Sequence, residues 1–218
     1  MQLNLQQINT VFISPCVSKY KYKCFEMQNY LNTHNFKWKL YKSELRYPYG
    51  LSSAFKQILL QNLNDDPLLI LEDDARLQIQ NLIIHVPKNA DAIYLGISAV
   101  GYGYFPFNSA TVQPIKNDLF KVHSMYSAHA ILYLSKRYKK AVADVIEEKI
   151  CDVEMARIQH KFNVYAYNKP LFIQKGTDIN ATLTKTTLYK IYMERKLTVL
   201  ICIILCYLII LKVWKFII

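Results

Sequence analysis

Short apolar runs alternate with amphipathic segments along most of the chain. Runs rich in branched and aromatic side chains predict strands at residues 10–14, 36–41, 68–71, 92–97, 119–122, 130–134, 163–167 and 171–174. Apolar residues at helical spacing predict helices at residues 18–31 and 50–63, at 135–149 after a capping Ser135, and at 153–161 after a capping Asp152. This order of elements predicts an α/β domain whose single, mostly parallel sheet is flanked by helices.

The segment 101–113 breaks this alternation. It contains two glycines, a proline and several aromatic residues without any period, which predicts a loop. The Tyr and Phe side chains of residues 102–107 either offer an apolar surface on which a sugar can stack or pin the loop to the core.

The last segment, residues 197–218, is almost wholly apolar and predicts a C-terminal transmembrane anchor that follows a domain at 1–190. Lys212 and Lys215 would extend their charged ends toward the membrane surface. The alternatives are a buried hydrophobic helix and a helix lying in the membrane interface. Residues 1–20 lack a basic stretch followed by an apolar one, so we expect a single-pass protein with its domain on the cytosolic side of a viral or host membrane.

Composition narrows the possible classes of protein. The chain has 218 residues, of which 52% are hydrophobic, and this excludes a disordered chain or a multidomain assembly. The net charge of +11 attracts polyanions in general. The Lys residues form no stripe with interleaved aromatic residues, and no nucleic-acid-binding motif is present, so we expect no nucleic-acid partner. The frequent Lys, Ile, Asn and Tyr are typical of an AT-rich genome, such as some large DNA viruses have.

The five cysteines have neither the spacing of a zinc site nor the density of a disulfide framework. Cys16 and Cys24 are separated by seven residues, and Cys202 and Cys206 lie in the apolar tail. The pattern predicts buried or lipid-facing thiols in a reducing compartment.

The clearest candidate for chemistry is the acidic triplet Glu72-Asp73-Asp74, which directly follows the apolar run at 68–71. In open α/β sheets, ligands bind outside the carboxyl ends of the strands. Three adjacent carboxylates repel one another unless a cation lies among them, and their hard oxygen atoms favour Mn²⁺ or Mg²⁺. The triplet therefore predicts a divalent-metal site, with a solvated acidic turn as the alternative.

The triplet also belongs to a series of sequence blocks. LLILEDDA is followed by AIYLG, by HAILYLSK and then by CDVEMARIQHKFNVYAYNKPLFIQKGTDI. In this order the blocks resemble nucleotide-sugar-dependent glycosyltransferases of the GT-A fold, in particular family 25, the lipopolysaccharide-biosynthesis and procollagen-galactosyltransferase type. The resemblance covers residues 48–179, although residues 50–55 match the family's pattern only in part.

The resemblance implies a single GT-A-like domain that transfers a hexose with the help of a metal ion. Asp74 would bind Mn²⁺ or Mg²⁺ directly, while Glu72 and Asp73 would hold the donor ribose or metal-bound waters. The ion would neutralise the diphosphate leaving group as the glycosidic bond breaks. The first strand, at residues 11–14, would run toward the nucleobase pocket.

The later blocks imply roles for residues farther along the chain. Asp152 and Glu154 resemble the acidic pair of inverting members, in which one carboxylate deprotonates the acceptor hydroxyl, and Asp152 is the first candidate for this base. His129 matches a family histidine that would contact the donor phosphates or the ion; a hydrogen-bonded structural histidine is the alternative. Gln174 and residues 177–178 resemble a loop expected to close over the donor, with an ordinary exit from a strand as the alternative.

The sequence thus predicts an inverting glycosyltransferase that moves a hexose from a nucleotide diphosphate sugar, most simply a UDP-hexose, to a hydroxyl of a saccharide or protein acceptor. One alternative is a membrane-anchored protein that keeps the fold and binds a nucleotide sugar without turning it over. The incomplete block at 50–55 favours that alternative, whereas the intact triplet and Asp152 favour the enzyme. A polyanion-binding protein is the third possibility, supported by the charge alone.

Overall fold

The structure is a computed structural model that describes residues 1–44, 49–64, 67–78, 82–97, 111–116, 118–146, 150–174, 199–207 and 209. Its strands are β1 (Gln2–Asn4), β2 (Asn9–Ser14), β3 (Trp38–Lys42), β4 (Leu68–Glu72), β5 (Ala75–Leu77), β6 (Ile83–His85), β7 (Ala92–Tyr94), β8 (Thr111–Pro114), β9 (Leu119–Ser124), β10 (Ala130–Tyr133), β11 (Val164–Tyr167) and β12 (Phe172–Gln174). The α-helices are α1 (Lys21–Thr33), α2 (Tyr49–Gln61), α3 (Lys136–Val145) and α4 (Cys151–Ile158). Short 3₁₀ helices cover Leu5–Gln7, Ser18–Tyr20 and Gln159–Lys161.

Eight of these strands form one sheet in the order β3-β2-β4-β10-β7-β11-β9-β8. β2 is parallel to β3 and β4, and β7 is parallel to β11, whereas the other neighbouring pairs are antiparallel. The prediction of a mostly parallel sheet is therefore wrong, and the sheet is mixed. The strand β10 lies between β4 and β7 and runs antiparallel to both, and β9 runs antiparallel to its neighbours β11 and β8.

Two apolar cores cover the two faces of this sheet. Helices α2, α3 and α4 pack on one face, and α1 packs on the other. The strand β4 contributes to both cores, since Leu68 and Ile70 belong to the first and Leu69 and Leu71 to the second. Burial on both faces explains why this strand has no polar position before Glu72.

Most predicted elements are confirmed to within a few residues. Ser135 caps α3 as expected, because its Oγ accepts a hydrogen bond from the backbone N–H of Tyr138 at 3.3 Å. The helix α4 instead begins at Cys151 with Ile150 in the capping position, so Asp152 lies in its first turn and does not cap it. The strand β8 occupies the end of the segment that was predicted to be a loop, where it pairs with β9.

The prediction of a membrane anchor at residues 197–218 is wrong for the part of the chain that the structure describes. Residues 199–207 and 209 are helical. None of the described helices combines the length and the apolar character that crossing a membrane requires. The expected single-pass location is thereby contradicted, and residues 208 and 210–218 lie outside the described residues.

The prediction that all cysteines are thiols is also wrong. Cys16 and Cys24 form a disulfide, with their Cα atoms 5.2 Å apart. The segment between β2 and α1 turns back sharply because Cys16 and Ser18 both adopt positive φ angles, of 50° and 48°. This local turn, which spacing alone does not reveal, brings the two cysteines together.

Candidate functional site

A cleft of about 230 Å³ lies at the carboxyl ends of the three parallel strands β2, β3 and β4. Its volume is close to the lower end of the range for small-molecule sites, roughly 300 Å³. The residues that line it come from the ends of those strands and from the start of α1 and α2: Ile13, Pro15, Tyr20, Lys23, Ser43, Glu44, Leu51, Glu72, Asp73 and Asp74. The acidic triplet therefore forms part of the wall of a cleft, where the strand order predicts a ligand.

Hydrogen bonds from neighbouring elements fix the acidic triplet. The backbone N–H of Glu72 donates to the carbonyl of His129 at 2.9 Å, which extends the pairing of β4 with β10. The Oγ of Ser14 donates to Oδ2 of Asp73 at 2.6 Å. Arg76 donates to the backbone carbonyl of Asp73 at 3.0 Å and to Oε2 of Glu26 on α1 at 2.9 Å. The turn is thus attached to both β2 and α1.

Glu72 and Asp74 in the cleft wall, and Asp152 near them, lie in surroundings that disfavour a charged carboxylate. Burial, together with the nearby charges of Asp74, Asp152 and Asp73, raises the pKa of Glu72 to about 8. Burial also raises the pKa of Asp74, against the opposing effect of Lys23. One oxygen of Asp74 and one of Asp152 are buried without a hydrogen-bond partner among the described residues. Such oxygens cost stability unless a ligand supplies positive charge or hydrogen-bond donors.

These oxygens fit a divalent cation whose coordination a substrate completes. Among the described residues, no three or more His, Cys, Asp or Glu side chains are arranged as a ready metal site. Mg²⁺ and similar ions are, however, commonly held by one or two carboxylates together with substrate phosphates and water. The unpartnered, hard oxygen of Asp74 suits that mode of binding.

The two acids predicted on α4 have different surroundings. Asp152 contributes to the raised pKa of Glu72, so the fold brings it near the acidic triplet. Burial raises the pKa of Asp152 itself, while backbone hydrogen bonds oppose this shift. Glu154 is 7% exposed and accepts hydrogen bonds from Arg157 at 2.8 and 3.1 Å. The ion pair occupies both carboxylate oxygens of Glu154, so Asp152 is the better placed of the two to act as a base.

The side chain of His129 is enclosed in the protein interior. It is 1% exposed, and its ring nitrogens lie 3.3 Å from Oγ of Ser127 and 3.4 Å from the carbonyl of Phe172. Burial lowers the pKa of this imidazole to about 4. The ring also packs directly on Gly96, where an added Cβ would come within 2.1 Å of Nε2. His129 therefore supports the strands behind the triplet, and its ring is absent from the lining of the cleft.

Gln174 lies beside the acidic triplet at the end of β12. This strand pairs with β5, in the register that places Gln174 opposite Ala75. The Nε2 of Gln174 is 3.5 Å from Oε2 of Glu72, so it partly offsets the raised pKa of that carboxyl. The other predicted loop residues, 177–178 and the aromatic residues of 102–107, lie outside the described residues.

The sequence analysis missed Lys23, Arg76 and the role of Ser14. Lys23 lies on α1 with its Nζ 3.9 Å from Oδ2 of Asp74. The available signal was topological, since the helix that follows the first strand of an α/β sheet begins at the same edge as the acidic triplet. Nothing in the sequence indicates which lysine of that helix faces the cleft.

Known proteins share the fold of this chain without close sequence similarity. No model of a protein family matches it, and no curated protein sequence does so significantly. A glycosyltransferase involved in the glycosylation of the major capsid of PBCV-1 superimposes with a TM-score of 0.50 at 13% identity, covering 78% of this chain and 96% of that one.

Two further structures match with lower scores. The inositol-1-phosphate CTP transferase from T. maritima has a TM-score of 0.49 at 10% identity and covers 90% of this chain and 98% of its own. A Drosophila β1,4-galactosyltransferase 7 variant in complex with manganese, UDP-Gal and xylobiose has a TM-score of 0.46 at 10% identity, covering 78% of this chain and 71% of its own. The class of fold is GT-A-like, and the structural neighbours are glycosyl- and nucleotidyltransferases.

Proposed function

We propose that the protein is a metal-dependent glycosyltransferase that moves a hexose from a nucleotide diphosphate sugar to a hydroxyl of a saccharide or protein acceptor. The observation that carries this proposal is a group of buried carboxylates with raised pKa values, Glu72 and Asp74 in the cleft wall and Asp152 near them; one oxygen of each aspartate has no hydrogen-bond partner among the described residues. Carboxylates in this state suit a site that binds a divalent cation and a phosphorylated ligand. The GT-A-like fold and the family 25 type of sequence blocks support the same class of reaction.

The donor is expected to lie in the cleft with its diphosphate beside the acidic triplet. Asp74 would hold the divalent ion, Mn²⁺ or Mg²⁺, which when bound supplies positive charge to the departing diphosphate. Glu72 would hold the donor ribose or a metal-bound water. Gln174 lies beside Glu72 and would fix the orientation of its carboxylate. Asp73 would have a structural role, because its hydrogen bond from Ser14 joins the turn to β2.

Asp152 would act as the general base that removes the proton of the acceptor hydroxyl. Burial raises the pKa of this carboxyl, which brings it closer to the pH at which the reaction runs and strengthens it as a base. Its unpartnered oxygen is available to accept a proton. A base that acts on the acceptor directly produces inversion at the anomeric carbon, which is the stereochemical outcome we propose.

The test is release of free nucleotide from a panel of UDP- and GDP-sugars by the full chain, with Mn²⁺, with EDTA, and in the variant Asp74→Ala. Asp144→Ala is a matched control, because Asp144 is an exposed acid paired with Lys140 on α3. We expect slow hydrolysis of one donor that requires both Mn²⁺ and Asp74 and is unchanged in the control.

Two results would contradict the proposal. Pyrophosphate release from a nucleoside triphosphate and a sugar phosphate, without hydrolysis of any nucleotide sugar, would make the protein a nucleotidyltransferase. Metal-dependent binding of UDP without turnover, in the presence of a wide range of acceptors, would leave a nucleotide-sugar-binding protein that lacks catalysis.

A further inference from the structure

The charges around the cleft are strongly unbalanced. Its described lining holds four acidic residues, Glu44, Glu72, Asp73 and Asp74, and a single basic residue, Lys23. A nucleoside diphosphate is itself an anion, so the cleft without added positive charge repels it. Binding of a diphosphate therefore depends on a cation, and on whether the ammonium group of Lys23 interacts with Asp74 or with the phosphate.

Lys23 is held in position while its ammonium group retains freedom to move. It lies in the first turn of α1, and the adjacent Cys24 is joined to Cys16, which anchors this turn to the loop that ends β2. The side chain is 43% exposed and its Nζ is 3.9 Å from Oδ2 of Asp74. That separation is longer than a hydrogen bond, so the contact is an attraction between charges that does not use the N–H donors of the ammonium group.

We propose that Lys23 is the residue that binds the diphosphate of the donor, and that it neutralises Asp74 only until a divalent cation does so. This inference rests on the proposed function. With the charge of Asp74 neutralised by a bound divalent cation, Lys23 would direct the N–H donors of its ammonium group to the phosphate oxygens. Lys23 thereby makes the cleft selective for a diphosphate over a monophosphate, and cation binding comes before nucleotide binding.

The proposal predicts two effects of opposite sign for one substitution. Lys23→Gln removes a positive charge beside Asp74, so the variant should bind Mn²⁺ alone roughly threefold more tightly. The same variant should bind UDP or GDP in the presence of Mn²⁺ about tenfold more weakly, because a charge-assisted contact to phosphate is lost. Damage to the fold weakens both kinds of binding and cannot produce this pair of changes.

The experiment is calorimetric titration of the full chain with Mn²⁺ alone, and then with UDP, GDP, UMP and GMP at saturating Mn²⁺. We expect Lys23→Gln to lower the preference for the diphosphate over the monophosphate, while Lys23→Arg keeps most of it. Lys21→Gln is the matched control, because Lys21 lies on the same helix and is exposed outside the cleft lining.

The possible failures are distinguishable. If the wild type binds a nucleoside diphosphate and Lys23→Gln binds it equally well, or loses diphosphate and monophosphate affinity alike, the role of Lys23 is refuted and the proposed function stands. If the wild type binds neither Mn²⁺ nor any of the nucleotides, the proposed function fails, and the role of Lys23 fails with it.

Discussion

Buried carboxylates lie at both ends of the strands of the eight-stranded sheet, in opposite electrostatic environments. We call the end at Asp91 the satisfied edge, and the end at Glu72, Asp74 and Asp152 the unsatisfied edge. Asp91 immediately precedes β7 and is 2% exposed. It accepts hydrogen bonds from Ser135 at 2.6 Å, from Arg137 at 2.6 and 2.5 Å, and from the backbone N–H of Asn163 at 2.8 Å. Burial raises the pKa of Asp91, but these hydrogen bonds outweigh it and hold the pKa below its usual value.

At the opposite edge, the pKa values of Glu72, Asp74 and Asp152 are all raised, and oxygens of the two aspartates lack partners. The same fold therefore satisfies one buried acid completely and leaves a group of three with raised pKa values, of which two have an unpartnered oxygen. Full satisfaction is what a structural ion pair requires, whereas unsatisfied buried groups concentrate where a ligand binds. The difference separates a residue that holds the fold together from residues that act on a substrate.

The largest expected effect of a single substitution is on activity at the unsatisfied edge. Asp152→Asn preserves shape but removes the proposed base, so we expect transfer to the acceptor to fall by about 10²–10⁴-fold. Nucleotide affinity and thermal stability should hardly change, since the oxygen that is altered has no hydrogen-bond partner to lose. Steady-state kinetics with the acceptor identified in the hydrolysis screen would measure this loss, and an unaltered rate would exclude Asp152 as the base.

The same kind of change at the satisfied edge should lower the stability of the fold instead. Asp91→Ala leaves Arg137 and the N–H of Asn163 without their acceptor, and breaking a buried ion pair costs about 3–5 kcal/mol of unfolding free energy. Since Arg137 is largely exposed, the lower end of this range is expected. Urea unfolding of the full chain measures the loss. Asp144→Ala, at an exposed pair, should cost less than about 1 kcal/mol; equal losses in the two variants would show that Asp91 is not a structural anchor.

Local pattern was enough to predict most of the elements and the position of the triplet. The run Leu68–Leu71 followed by Glu72 predicts a buried strand and its end. Burial on both faces requires apolar residues, and a charged residue is allowed where the strand ends. The direction of β10 could not be predicted in this way, since it depends on which distant strand it pairs with.

The roles of individual site residues could not be predicted from the sequence, because they too depend on contacts between distant parts of the chain. Glu154 and Asp152 are two residues apart on α4, yet Asp152 affects the pKa of Glu72, whereas Glu154 pairs with Arg157. His129 occupies the expected place in the chain, but the space beside Gly96 encloses its ring. Both outcomes depend on which way a side chain points in three dimensions, which spacing along the chain does not determine.

A covalent link stabilises the wall of the cleft next to the unsatisfied edge. The disulfide between Cys16 and Cys24 closes a loop with a sequence separation of 8. Loop-closure entropy predicts that replacing both cysteines by serine costs about 2–3 kcal/mol of unfolding free energy. Thermal unfolding of the double variant, compared with the wild type under oxidising and reducing conditions, tests this. The wild type in reductant should match the variant, and an unfolding temperature insensitive to reductant would contradict the presence of the link.

The smallest expected effect concerns how the unsatisfied edge responds to pH. The pKa of Glu72 is raised to about 8 in the folded protein, above its ordinary value of 4.5. The folded state therefore keeps a proton that the unfolded state has already released. The resulting contribution to stability is complete below pH 4.5 and is lost as the pH rises toward 8.

Acidic groups elsewhere in the chain and the buried His129 also titrate, so the comparison has to isolate Glu72. In Glu72→Gln this contribution is absent, because glutamine is neutral at every pH. The unfolding free energy of the metal-free wild type should therefore fall relative to the variant by about 2 kcal/mol between pH 6.5 and 8. Urea titrations of both proteins in EDTA measure the difference. A difference that is constant with pH would mean that Glu72 is already ionised, and that the acidic edge is satisfied in the same manner as Asp91.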